Sequence, residues 1–294
     1  MTITSKTALA LLALPLLAAA GAAQAADWSD TSLGIRYGTT FSEPYDNNAD
    51  GSRKDIKKAI VSLTHADGYK YGSNFFNVDV LLSDHNDPGD GVPGNSGAQE
   101  VYLVYRHLLD IGKVMGSDIK FGPVRGVGLT AGFDLNTKND FYASKKRMLV
   151  IGPTLMFDVN GFANLSALVF EESNRPNSLP AGAGRYTYKT HGALELDWGI
   201  PLPVSFAPLS FNGYALYIGS KGKNEFGGGT KPETHIDMTL MLDAGAMMGG
   251  NKKQFLVGVE YEYWRNKFGN PSDAANAGTG ATARTPMVRA EYHF

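Results

Sequence analysis

The sequence predicts an all-β protein: a single transmembrane antiparallel β-barrel of about twelve strands, with long extracellular loops and short periplasmic turns. Three observations predict it. Segment after segment alternates apolar and polar residues with period two, as a wall between two environments requires. The links between these segments alternate long and short. The chain ends on an aromatic, Phe294, that completes one such alternation. A water-soluble sandwich would share the first feature, but it has no reason to sort its loops by length.

Two spans organise the 294 residues, a leader over 1–25 and a barrel over 26–294. The leader carries Lys6 as its single charge, an apolar stretch from Ala8 to Ala20 and a closing Ala23-Gln24-Ala25. That is the layout of a cleaved secretory signal peptide; the stretch is too short to span a bilayer, and Pro15 interrupts it. The rest holds no run of about twenty apolar residues, so any crossing is made by strands. The chain has a formal charge of −2, one unit more negative once Lys6 is removed, which gives no basic surface for nucleic acid. Cysteine is absent, so disulfides do not stabilise this exported fold. Glycine (35), tyrosine (14) and phenylalanine (15) are abundant, as in membrane barrels.

The strands follow in order. SLGIRYGTTF sets Leu33, Ile35 and Tyr37 against Gly34, Arg36 and Gly38, and AIVSLTH is a weaker second strand. NFFNVDVLLS sets Phe76, Val78, Val80 and Leu82 against Phe75, Asn77, Asp79 and Ser83. QEVYLVYRHL sets Val101, Leu103 and Tyr105 against Glu100, Tyr102 and Arg106. GVGLTAGFDLN alternates Val127, Leu129, Ala131, Phe133 and Leu135 with glycine, Thr130, Asp134 and Asn136, and MLVIGPTLMF and ANLSALVF are weaker. RYTYKTHGALELDW reads as one strand, with Tyr186, Tyr188, Leu194, Leu196 and Trp198 opposite Arg185, Thr187, Lys189, His191, Glu195 and Asp197. FNGYALYIG is weak. THIDMTLMLDAGA sets Ile236, Met238, Leu240 and Leu242 against His235, Asp237, Thr239 and Asp243. QFLVGVEYEYW sets Phe255, Val257, Val259, Tyr261 and Tyr263 against Gly258, Glu260, Glu262 and Trp264. TPMVRAEYHF ends the series, with Val288, Ala290, Tyr292 and Phe294 opposite Arg289, Glu291 and His293. Long links such as SDHNDPGDGVPGNSGA follow odd-numbered strands, and short ones such as DVNGF follow even-numbered ones. Aromatics at both ends of the apolar band mark two membrane–water interfaces.

The stretches DWSDTSLGIRYGTTFSEP, GAQEVYLVYRHLLDIGK, RYTYKTHGALELDWGIP, SKGKNEF, YWRNKFGNP and TPMVRAEYHF run through essentially the whole mature chain. Together they resemble the Tsx-like nucleoside-specific channel-forming family. The resemblance implies a monomeric barrel in the outer membrane of a Gram-negative bacterium, with a narrow, keyhole-like pore and nucleosides as solutes. Phe294 resembles the C-terminal aromatic signal that the barrel-insertion machinery reads. The family's solute contacts do not transfer to individual residues of this chain. Two other readings stand beside it: a channel for another small or apolar solute, and a non-conducting barrel serving as an enzyme or adhesion scaffold.

The polar parity supplies the candidate lumen and solute residues: Arg36, Asp79, Glu100, Arg106, Asp134, Lys189, Asp237, Glu260, Glu262 and Arg289, with the rings of Phe75, Tyr102, Tyr217 and Trp264. Glu195, Asp197, Asp243 and Glu291 share that face. Opposite charges on one face form a ladder across strands. A ring among them offers a nucleobase a stacking platform, worth about 1–3 kcal/mol per base, while charges bond the ribose hydroxyls. Of the candidates His65, His107, His191, His235 and His293, the first two fall on apolar or terminal positions that suit interfacial packing, and His191 and His235 lie in no short Ser/His/acid signature, so no catalysis is expected. Asp84, His85 and Asp87 lack the spacing of a calcium loop, and neither a metal nor a cofactor is expected. The expected partners are outer-membrane lipid, nucleosides or similar small solutes and the insertion machinery, with no nucleic acid.

Overall fold

The alternation resolves into a closed wall. The structure, a computed structural model, describes residues 26–180, 182–273 and 278–294; the signal peptide expected over 1–25 lies outside the described residues. The strands are β1 (Trp28–Phe41), β2 (Ile56–Tyr69), β3 (Gly72–Ser83), β4 (Gln99–Asp110), β5 (Val124–Lys138), β6 (Arg147–Phe157), β7 (Phe162–Asn174), β8 (Tyr186–Thr187), β9 (His191–Pro201), β10 (Leu209–Ile218), β11 (Glu233–Asp243), β12 (Phe255–Arg265) and β13 (Thr282–His293). All pairings are antiparallel, and the sheet closes where β1 meets β13 and β6 meets β7. Among the described residues twelve strands therefore form an all-β barrel, with β8 a two-residue arm on the end of β7. Closure removes the long open edge that an unclosed sheet would offer another chain.

Burial is inverted relative to a water-soluble protein. Ile35 (56% exposed), Leu149 (63%) and Val288 (62%) face outward, while Thr285 (0%), Lys58 (2%) and Glu260 (3%) are enclosed. The register places like with like: Leu33 stands between Leu63 and Tyr292 on the outer face, and Gly34 between Ser62 and Glu291 on the inner one. An apolar exterior of this extent is stable against lipid and costly against water. Outer aromatics gather toward one end of the wall at Trp198, Phe211 and Tyr292, and toward the other at Tyr217, Tyr261 and Tyr263.

Links 42–55, 84–98, 139–146, 175–190, 219–232 and 266–281 share one end of the barrel. Phe294 donates its backbone N–H to Thr31 O, so the first and last strands begin and finish at the opposite end, among the shorter links. Length alone does not sort the two sets, because 111–123 carries a helix, Ile111–Met115, and exceeds 139–146. Two devices make the tight links. Gly161 (φ +97°) closes 158–161 at a spot where an added Cβ would lie 2.0 Å from Gly199 O. Asp243 accepts N–H bonds from Ala246 (2.9 Å) and Lys253 (2.6 Å), which folds the link 244–254.

Two expectations are corrected. RYTYKTHGALELDW is not one strand: β8 ends at Thr187 and β9 starts at His191. Tyr188 turns inward with only 6% of its surface exposed, so it belongs to the loop end and not to an outer aromatic belt. Asp243 lies on the inner parity, but its carboxylate is committed to the turn just described.

Candidate functional site: the barrel lumen

Charged side chains of alternating sign cross the bore in two networks. In the first, Arg36 on β1 reaches Asp79 on β3 and Glu260 on β12, the latter at 3.1 Å. Ser62 donates to Asp79 (2.7 Å), and Arg289 joins Glu260 (2.8 Å) to Glu291 (2.5 Å). In the second, Arg106 on β4 holds Asp134 on β5 at 2.5 Å and extends to Glu195 on β9 at 3.4 Å. Tyr102 donates to the same Asp134 (3.2 Å), and Asn164 donates to Asp197 (2.9 Å). β4 and β9 are separated along the wall by β5, β6 and β7, so the Arg106–Glu195 contact is a bar across the interior. Pairing is what makes these enclosed charges tolerable, since an isolated ion in such surroundings costs several kcal/mol.

The pairing is not complete. Arg36 Nε, Arg106 Nε and Glu262 Oε1 are enclosed polar atoms with no hydrogen-bond partner among the described residues. These two donors and one acceptor are thus enclosed without a partner, and such a group costs roughly 1–3 kcal/mol until something meets it.

The other candidate residues divide. Glu100 is inside and accepts from Asn136 at 2.5 Å; Asp237 is inside opposite Tyr214 and Glu262. Trp264 is inside, but His235 stacks on it at 3.9 Å and 8° between planes, and Phe268 meets it edge-on at 4.8 Å. Tyr102 is inside, with Lys146 Nζ 6.0 Å from its ring centre. Phe75 follows the inner parity at the short-link end and keeps 41% of its surface exposed. Tyr217 is corrected: it is 52% exposed on the outer face beside Leu194 and Thr234, and the inner tyrosine of β10 is Tyr214. Lys189 is corrected as well: it is an exposed loop residue before β9 and lines no part of the lumen. Phe294, the expected assembly signal, projects from the outer face at the short-link end.

Sequence reasoning missed what closes the long-loop end. Glu43, in the first long loop, is met by Lys58 (2.6 Å), Lys267 (3.3 Å) and Lys138 (3.5 Å). Burial alone would raise its pKa; the ammonium groups of Lys138, Lys267 and Lys58 overcome that and hold the carboxyl well below the usual range. Lys138 also binds Asp87 (2.9 Å) and Asp140 (2.8 Å), so three loops tie to one lysine of the wall. A second hub is Glu172 of β7, which takes Lys221 at 3.0 Å and has Lys146 at 3.8 Å. Nearby, Tyr142 and Tyr188 both donate to Glu225, whose pKa burial pushes up. Apolar clusters fill the space between: Phe41, Ile56, Ile60 and Met287 on one side, Met148, Val150, Leu168, Phe170 and Ile218 on the other. The signal for the hubs was present only in part, since Lys58 and Lys138 obey the inner parity but extend past the ends of the recognisable alternation.

No family model matches the chain, and no curated protein sequence matches it. Solved structures do. The translocator domain of autotransporter NalP from Neisseria meningitidis is similar at 11% identity and a TM-score of 0.43, covering 99% of this chain and 98% of that one. The KdgM porin is similar at 10% identity and 0.40, covering 90% and 99%. OccK1 from Pseudomonas aeruginosa is similar at 7% identity and 0.38, covering 90% and 98%. Likenesses with TM-scores below 0.5 define no role for this chain, whose barrel is established by its own strand pairing.

Proposed function

We propose that the protein is an outer-membrane channel for the passive uptake of small polar solutes, nucleosides foremost. The observation that carries this reading is the set of unsatisfied lumen groups, Arg36 Nε, Arg106 Nε and Glu262 Oε1. A solute rich in hydroxyl and carbonyl groups satisfies both donors and the acceptor when side-chain motion uncovers them, and then leaves, because no group holds it by charge alone. The ion pairs that cross the bore and the apolar clusters at its long-loop end favour small solutes over polymers. Nucleosides are singled out by the resemblance of the sequence to the Tsx-like family. Stacking gains support from Phe75 only, because His235 and Phe268 already cover Trp264. The long loops then face outside the cell, the barrel acts as a monomer, and no catalysis or cofactor enters.

Liposome swelling tests the reading. Purified protein in liposomes should admit nucleosides faster than sugars of equal size. The Glu262→Gln substitution replaces the lumen carboxylate by an amide and should narrow that difference. Equal rates for nucleosides and matched sugars would remove the nucleoside assignment, and no swelling with any small solute would remove the channel.

A further inference from the structure

The wall is not sewn evenly. β1 pairs with β2 from Trp28↔Gly68 to Phe41↔Ile56, but with β13 only from Ser32↔His293 to Gly38↔Met287. Beyond that last rung β1 continues to Phe41, and β13 approaches from Thr282. The chemistry explains the gap. Phe294 gives its N–H to Thr31 on β1, and N–H groups along a strand alternate between its two neighbours. Residues 292, 290, 288 and 286 therefore address β1, and position 286 is a proline with no N–H to give. On the facing strand a bulge between Gly38 and Phe41 shifts the register by one residue. Hydroxyl groups replace the ladder: Thr40 Oγ1 donates to Arg284 O, Thr285 Oγ1 to Thr40 O and Ser42 Oγ to Thr282 O, each at 3.1 Å. Rotation about one side-chain bond releases each of these, whereas a backbone rung has no such freedom.

Both faces of this stretch are apolar. Outside, a depression of about 630 Å³ lies over it, lined by Tyr37, Phe211, Leu240, Val259, Tyr261 and Val288. Inside, Phe41, Ile56, Ile60 and Met287 are buried together, with Leu81 against them. Between the two stands Gly38, which has no side chain. An added Cβ there would come within 2.7 Å of Met287 Cγ and 2.9 Å of Thr285 Cγ2, so the inner residues close directly over the gap. Outer depression, unladdered backbone and inner cluster thus line up through the wall, two apolar faces that meet at the hydroxyl-bridged seam.

We propose that this stretch of the β1–β13 seam is a lateral portal, through which an uncharged, hydrocarbon-like solute passes between the lumen and the surrounding lipid. The outer depression is its docking station, and its volume suits a compact aromatic or short acyl molecule. A charged solute meets no partner in the outer depression; the first charges stand at the inner end, where Glu260 lies opposite Met287 and Lys58 Nζ is 5.6 Å from the Phe41 ring. Met287 and Phe41 are the closing residues in this structure, and an unbranched thioether moves aside more readily than a branched side chain. The proposal rests on the barrel standing in a membrane, and not on which polar solute its bore carries.

Absence of native cysteine makes the test clean. Thr40→Cys with Thr285→Cys places thiols on two side chains that already bridge the seam. Cells expressing the wild type should take up N-phenyl-1-naphthylamine, an uncharged aromatic fluorophore, faster than cells without the protein. The oxidised double variant should lose at least about tenfold of that excess and recover it on reduction, while liposome swelling by polar solutes stays unchanged. Pro286→Val restores the missing donor without a crosslink and should slow entry several-fold. Uptake that survives oxidation, or a wild type no faster than the empty control, overturns the portal. Joint loss of uptake and swelling also overturns it, by assigning the seam to axial passage.

Discussion

One carboxylate does most to hold the long-loop end shut. Glu43 gathers Lys58, Lys138 and Lys267 from β2, β5 and the last long loop, all within 3.5 Å. Its depressed pKa contributes stability that is present above the unfolded-state value near 4.5 and is lost only as pH falls through the depressed folded value. Closure should therefore be indifferent to pH between 7 and about 5, as hydrogen exchange in residues 42–55 would show. Faster exchange on mild acidification would contradict that sign. Glu43→Gln leaves the three ammonium groups with weaker compensation, and breaking a buried pair from one side costs about 3–5 kcal/mol. The expected result is a looser mouth, read as higher single-channel conductance together with faster exchange in 42–55. Unchanged conductance would mean that these loops do not obstruct the path.

At the scale of elements, legibility followed chemistry. β1, β3, β5, β12 and β13 could be read with the correct face outward because glycines and charges fill one parity and aliphatics the other. β10 could not. Its inner Leu216 and Ile218 pack in an apolar cluster while its outer face is apolar too, so period two carries no contrast that would set Tyr217 on the outer side. β6 is the same case, with Val150 enclosed and Ile151 outside. The loop hubs had no periodicity to read: Glu43 and Lys267 sit in loops, and only three dimensions bring them together. Two substitutions test the elements. Ile151→Arg, at the middle of β6, puts a charge against lipid and should cost about 2–4 kcal/mol in urea unfolding from vesicles. A loss below about 0.5 kcal/mol there would place β6 away from the lipid. Asp243→Ala removes the acceptor that folds 244–254 and should cost about 0.5–2 kcal/mol, as a lost cap does. Because that carboxylate is occupied by two backbone N–H groups, ion selectivity should not move; a shifted reversal potential would return Asp243 to the solute path.

For the whole molecule the decisive object is the bar from Arg106 to Glu195, because it joins distant parts of the wall and divides the bore. Arg106→Gln alone would strand Asp134, which is almost fully enclosed, and the damage would then report folding rather than passage. Arg106→Gln combined with Asp134→Asn avoids this: both new groups are neutral, similar in size and still able to hydrogen-bond. One positive and one negative charge leave together, so the net charge of the lumen is unchanged, while Glu195 loses its partner and the crossing is cut. Planar-bilayer recording should then show higher conductance with the reversal potential in a salt gradient unmoved. Glu195→Gln is the complement. It removes one negative charge, leaves Arg106 bound to Asp134, and should move selectivity toward anions. The two variants separate width from charge. A folded double variant with wild-type conductance would show that solutes do not cross where Arg106 and Glu195 meet.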